Sequence, residues 1–433
     1  MAGIMAEIQR TRKPSIIIAA TCFVIFWFLM SPASLFTVCP QYAEGAEFSV
    51  LPSLTIGEEY NDNVYLTRYN KLDDYITEAI PAFSLVYRTS LTDLNLSMSY
   101  DYRYYAKGTK KGDDTFRANF RDHSTLIDNF FFLDILDVAD RVSLTTTTNF
   151  ATQSSFVNQT DSNLFTVNPY FVMRNDTRYT PIIGYKYVNT WYGEESGVST
   201  VDNIGYAEMI TDLSSKVTFT IGVSYTDDVN KVENYDQTKV YAGPKYTYAQ
   251  NNSFVYMLIG ESFLNFQFEN GVTKHMIWDA GFTNRYSTMV LSYQMRSDYI
   301  PDPQKILRRE DRYVATLAKD TIRTSFSISL GLFEYRNAAS NHLEDTVYRT
   351  TGMLSHAISP TLTLLLYEDI ERQENNLNDT IVDLWESEVR LERRMLKNFT
   401  LALDYKYTNS YSHDSYPDNY VNNRFSVQLS KSF

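Results

Sequence analysis

Cysteine is almost missing from this chain: there are two in 433 residues, Cys22 and Cys39, both near the N-terminus. Beyond them no disulfide framework, thiolate metal site or cysteine nucleophile can exist. Glycine and proline are scarce, at 16 and 12 residues, and no Pro/Gly/Ser-rich linker or composition shift divides the chain. Positive charge is in deficit: 39 Lys and Arg against 52 Asp and Glu leave a formal net charge of -13. That argues against a nucleic-acid partner. The one long apolar run is Ser15–Met30, and the mean hydropathy of -0.31 lies well below that of a helical membrane protein.

Catalytic signatures are missing too. There is no phosphate-cradling glycine loop, no H-E-x-x-H and no G-x-S-x-G. The five histidines are His123, His275, His342, His356 and His413. His342 and His413 fall in predicted loops, where they could pair with Asp345 or Asp414, but an exposed loop histidine beside an acid is far more often solvated than catalytic. No catalytic residue, metal ligand or cofactor is assigned, and the chain is read as a non-enzyme.

What the sequence has is aromatic side chains, 15% of residues and led by 34 Tyr, set in a pattern of period two. From Asp93 to Tyr105 the chain reads DLNLSMSYDYRYY. Leu94, Leu96, Met98, Tyr100, Tyr102 and Tyr104 share one face, and Asp93, Asn95, Ser97, Ser99, Asp101 and Arg103 share the other. The same alternation returns at Val217–Tyr225 and Phe399–Tyr407, so the predicted fold is an all-β, antiparallel, up-and-down transmembrane barrel of about 18–20 strands in a bacterial outer membrane. Pro81 and Pro244 sit inside predicted strands, each implying a bulge or a strand end. A first strand is expected at about 50–60, a second at about 80–88, with a polar loop over 61–75 between them.

Short joints are predicted near residues 89, 128, 176, 214, 251, 286, 321, 359 and 397, alternating with longer connections, as in barrels with periplasmic turns and outer loops. Arg10, Arg12 and Lys13 ahead of the apolar run read as an export signal within a leader spanning 1–46, leaving 47–433 as the barrel. The rival reading of that run is an uncleaved anchor helix. Outer-membrane lipid and the barrel-assembly machinery are the implied partners, because RFSVQLSKSF ends the chain on Phe433 in the manner of a barrel-insertion signal. Lys431 departs from that pattern.

Alternation points a set of charges into the lumen: Arg103, Arg117, Arg121, Lys186, Lys245, Arg296, Glu386, Glu388, Arg390, Glu392, Arg394 and Lys406, with Arg424, Asp101, Asp298 and Asp404. They could set solute selectivity. They could equally be cross-strand ion pairs inside a wet barrel.

One stretch carries a resemblance. PSLTIGEEYNDNVYLT from Pro52, then Ile80-Pro81, then the alternating strand after Asp93, resembles the β-barrel porin 2 group of outer-membrane proteins, most specifically at Tyr60-Asn61-Asp62-Asn63. Members are commonly found beside exopolysaccharide or exosortase-linked (PEP-CTERM) systems. The resemblance implies a setting in surface-polymer export, with a polysaccharide and periplasmic export proteins as partners. A passive porin for small hydrophilic solutes is the alternative.

Overall fold

The computed structural model describes residues 46–143, 159–174, 178–194, 197–232, 234–249, 253–267, 271–302, 307–413 and 419–433. The proposed leader, both cysteines and Asp414 fall outside them. Twenty strands follow in chain order: β1 Glu47–Asn61, β2 Asp74–Arg88, β3 Thr92–Tyr105, β4 Asp113–Ile127, β5 Phe131–Ser143, β6 Gln159–Val172, β7 Tyr179–Tyr192, β8 Thr200–Asp212, β9 Val217–Asn230 and β10 Tyr235–Ala249. The second half holds β11 Ser253–Phe266, β12 Val272–Tyr286, β13 Met289–Ile300, β14 Arg308–Asp320, β15 Thr324–Asn337, β16 Leu343–Ser359, β17 Leu362–Asn375, β18 Thr380–Leu396, β19 Phe399–Ser412 and β20 Tyr420–Ser432. Each strand pairs with the next, and β20 returns antiparallel to β1 from Ser53↔Ser432 to Asn61↔Arg424. The sheet is a closed barrel, which leaves no edge strand with unpaired backbone groups in lipid.

Every predicted short joint falls at the junction of two consecutive strands, those near 176 and 251 lying outside the described residues. The tightest are two-residue links, Ser287-Thr288, Pro360-Thr361 and Lys397-Asn398. Ser287 and Asn398 there take positive φ of 54° and 72°, as hairpin turns matching the strand twist require. The sequence placed no connection between β11 and β12; β11 ends at Phe266 and β12 begins at Val272. Strands run from 12 to 17 residues, against about ten needed to cross the hydrocarbon. The excess lies at the long-connection end, so β2 begins at Asp74 and the loop expected over 61–75 shrinks to 62–73.

Neither proline breaks a strand. β2 continues through Pro81, and β10 keeps a continuous register with β9 through Pro244↔Phe219. On its other side β10 pairs with β11 at Ala242↔Ile259 and again, in the same register, at Lys245↔Tyr256. Between them the two rows at Gly243-Pro244 lack ladder partners, and a one-residue irregularity follows at Tyr248. At those two rows the backbones are pinched together, since a Cβ on Gly243 would fall 1.7 Å from the Met257 carbonyl oxygen.

The outer face is apolar, as at Ile328 and Leu330, 47% and 56% exposed. Towards the long-loop end it carries a recurring device. Tyr100, Tyr185, Tyr225 and Tyr405 donate their hydroxyls to Asp114, Asn203, Asp236 and Asn423 at 2.8, 2.7, 2.8 and 2.8 Å. In each pair the acceptor sits on the following strand, two residues nearer the loop end than the tyrosine's direct partner. A ring with a wet hydroxyl tip suits the boundary between hydrocarbon and headgroups.

The two faces can be told apart chemically. In single-cysteine variants, Leu96→Cys and Leu401→Cys are expected to resist a water-soluble thiol reagent, while Ser97→Cys and Thr400→Cys react. Equal labelling of both sets would contradict the assigned faces.

Candidate functional site

The register puts all twelve predicted lumen residues on the inner face. Arg121 lies opposite Asn95, Lys186 opposite Ile204, Lys245 opposite Thr218, Arg296 opposite Asp279 and Arg394 opposite Thr400. Arg103, Arg117, Glu386, Glu388, Arg390, Glu392 and Lys406 share rows with further polar residues. The structure adds inward charges that sequence reading passed over: Glu59, Glu78, Lys239, Arg349, Asp369 and Glu371. Lys239 meets Asp298 at 2.6 Å, and Arg349 Nε donates to Asp369 Oδ1 at 3.0 Å.

These charges fall into two groups. The first forms a continuous strap. Arg390 Nε donates to Glu392 at 2.8 Å and its Nη1 to Gln428 at 3.3 Å, and Gln428 Nε2 donates in turn to Glu78 at 3.5 Å. Arg103 joins Glu78 to Asp101 at 3.2 and 3.0 Å. Arg117 then joins Asp101 to Asp140 at 3.5 and 3.2 Å. The strap starts on β18, crosses the β20–β1 seam and ends on β5; Arg424 and Glu59 meet across the same seam at 3.7 Å, and Lys406 pairs with Glu386. The second group, Arg121, Lys186, Lys245 and Arg394, forms no ion pair among the described residues. Arg121 donates to Asn119 at 3.2 Å, and the Lys245 ammonium sits 4.3 Å from the Phe254 ring centroid.

Inward glycines explain how side chains reach past a neighbouring strand. Gly222 shares one row with Tyr241 of β10 and Glu208 of β8, and the tyrosine lies over the glycine to donate its hydroxyl to the glutamate. A Cβ on Gly222 would stand 2.5 Å from that ring. Tyr206 crosses Gly184 in the same way to reach Asn168 at 3.0 Å. Gln294 reaches Tyr256 across Gly281 at 3.2 Å, and Gln428 reaches Glu78 across Gly57.

The motif Tyr60-Asn61-Asp62-Asn63 turns out to bind the outer end of the closing seam. Asn422 Nδ2 donates to Asn61 Oδ1 at 2.6 Å and to the Asn63 carbonyl at 3.1 Å. Asn63 Nδ2 donates to the carbonyls of Thr67 and Val421 at 2.8 and 3.0 Å. Asp62 accepts from the backbone and side-chain amides of Asn423, both at 2.7 Å. The β1–β2 connection is pinned to the β3–β4 connection beside it by the Tyr65 hydroxyl on the Thr109 carbonyl and by Lys107 on Asp73. The Lys107 hydrogen bond holds the Asp73 carboxyl below its usual range.

Two cavities open along the lumen, of about 910 and 750 Å³, and Glu388 and Lys406 line both. The larger carries the strap on one side and Val138, Leu164, Asn163 and Thr190 on the other. The smaller adds Met353 and Leu365 to Arg349, Asp369 and Glu386. Pro301, which follows β13, lines the larger cavity with Arg103 of β3, although β13 and β3 stand ten strands apart in a ring of 20. The start of the β13–β14 connection therefore borders this cavity. Its base is held by the buried Arg308, ion-paired to Asp302 at 3.2 Å, to Glu344 at 3.1 Å and to Asp345.

The histidines occupy wall and rim positions. His413 bonds Asp383 at 3.0 Å, His123 bonds Asp134 at 2.6 Å and His356 bonds Thr324 at 2.8 Å. Among the described residues no three His, Cys, Asp or Glu side chains are grouped to hold a metal ion.

A closed sheet with an apolar outer face, a tyrosine belt and a charged lumen is a membrane-spanning barrel, and the chain is accordingly an outer-membrane protein of bacteria. No family model and no curated protein matches it. Among solved structures it is similar to the FrpB iron transporter of Neisseria meningitidis (8% identity, 88% of this chain and 81% of that one, TM-score 0.47). It is also similar to OccK2 (OpdF) of Pseudomonas aeruginosa (9%, 89% and 98%, 0.42) and to the siderophore receptor PirA of the same organism (9%, 89% and 80%, 0.47). At such identities and scores the likeness assigns no activity, substrate or partner to the chain.

Proposed function

We propose that the chain is a non-enzymatic outer-membrane conduit that forms or supports the exit path of an exported surface polysaccharide. The observation carrying the reading is the lumen: two adjoining cavities of mixed polar and apolar lining, the larger edged by strap cations that each meet a carboxylate. A wall neutralised in place offers donors and acceptors to hydroxyl groups without holding one sign of charge. The resemblance of the Pro52–Thr67 stretch to the β-barrel porin 2 group supplies the polymer and the export setting. Deletion of the gene is expected to abolish surface polysaccharide while periplasmic or cell-associated polymer persists; unchanged surface polymer would leave the passive-porin reading.

The lumen reading has its own test in a planar bilayer. The wild-type barrel is expected to conduct with weak ion selectivity. Arg394→Glu reverses a cation outside the strap, so it should shift permeability towards cations by about twofold with the barrel intact, because fixed charge in a confined passage acts on every ion. Arg390→Glu should also cut the link to Gln428 and lower the heat resistance of the folded form. Strong anion selectivity of the wild type would contradict the balance of charges described above.

A further inference from the structure

In this acidic protein one arc of the wall carries cations that face lipid. Lys319, Arg393 and Lys431 all point outward, towards lipid, at the short-turn end of β14, β18 and β20. The register embeds each in apolar side chains: Lys319 lies between Met289 and Phe326, Arg393 between Leu362 and Leu401, and Lys431 between Phe399 and Leu54. None of the three makes an ion pair among the described residues, and the Lys431 ammonium rests 5.2 and 4.5 Å from the ring centroids of Phe399 and Phe433. Carboxylates at the same strand ends do not help, since Asp320 and Glu392 lie in lumen-facing rows opposite Ser325 and Thr363.

An ammonium or guanidinium at the lower edge of a lipid-facing band, with hydrocarbon on both sides, can keep its charge hydrated only by reaching to the headgroup level. A phosphate there supplies the missing counter-charge. Arg323 and Lys397, in the turns of the same arc, extend the positive field. On the opposite arc the cations at this level, such as Lys216, share it with Asp122, Asp128 and Asp212. We propose that the β14–β20 arc binds the phosphate headgroups of anionic phospholipid in the periplasmic leaflet. The barrel would thus carry an annulus enriched in such lipid on one side. The unusual Lys431 of the C-terminal strand is then part of a headgroup site.

The full-length barrel, purified in detergent and exposed to an equal mixture of phosphatidylglycerol and phosphatidylcholine, should retain the anionic lipid through gel filtration with at least about threefold enrichment by mass spectrometry. The triple variant Lys319→Gln, Arg393→Gln, Lys431→Gln should bring the ratio back to that of the mixture. Swapping the cations (Lys319→Arg, Arg393→Lys, Lys431→Arg) should preserve the enrichment, as should Lys216→Gln with Lys245→Gln. If the neutral triple variant fails to fold, loss of wild-type enrichment at high salt tests the same charge dependence. Equal retention of the two lipids by the wild type overturns the proposal and would turn the arc over to an acidic protein partner. Undiminished enrichment in the folded triple variant overturns it as well.

Discussion

Asn63→Ala combined with Asn422→Ala is expected to lower the stability of the closed barrel by on the order of 4 kcal/mol, since each buried polar group left without a partner costs about 1–3 kcal/mol. Both residues are 0% exposed, and Asn61 beside them is 1% exposed. Removing the two amides strands the Thr67 backbone, whose N–H and carbonyl both pair with the Asn63 side chain, while Asn61 Oδ1 and the carbonyls of Asn63 and Val421 each fall back to a single donor. The location adds to the effect. Every other pair of neighbouring strands is joined by a connection at one end, whereas β1 and β20 are held only by their ladder and by the side chains that cross it. The readout is the temperature at which the fast-migrating folded form disappears from an unboiled gel; Asn423→Ala, which removes the partly buried contact with Asp62 and the exposed acceptor of Tyr405, should lower it less. An unchanged transition in the double variant would show that the seam does not depend on this network.

Leu96→Arg is expected to block stable insertion. Leu94, Leu96 and Met98 form the outward apolar run of β3 below Tyr100, and Leu96 pairs with Phe120 of β4 on the same face. An arginine near the bilayer midplane on that face costs about 2–4 kcal/mol, whereas a charge on the lumen face costs little. Ser97→Arg, one residue along, should therefore insert. The comparison of folded yield between the two is sharper than either alone: equal yields would contradict the face assignment of the whole strand.

That these two substitutions could be chosen one residue apart reflects what was legible. A period of two is exact, so in β3, β9 and β19 a residue's parity already told lipid from lumen, and the predicted charges followed. Legibility failed where the lumen itself is apolar. In β11 the inward residues include Phe254, Tyr256 and Leu258, and in β16 they include Val347 and Met353 beside Arg349. There both faces read as hydrophobic, and Arg349 was passed over. Pro244 misled for another reason: a missing N–H forbids a ladder bond on one side only, and β10 keeps its other ladder whole. The strap could not be read from any single strand, because Gln428 and Glu78 become neighbours only when the ends of the chain meet. The Asn61–Asn63 motif was singled out for its likeness to a family, and its physical role at the seam emerged only from the closed ring.

The inward glycines bear on the calibre of the passage. A tyrosine standing radially from the wall would subtract the length of its ring from the free diameter; Tyr206 and Tyr241 instead lie tangentially, each flat across a bare Cα and moored by its hydroxyl to the strand beyond. Aromatic mass is thereby stored as wall thickness. At these two rows the passage loses less width to tyrosine than radial rings would take.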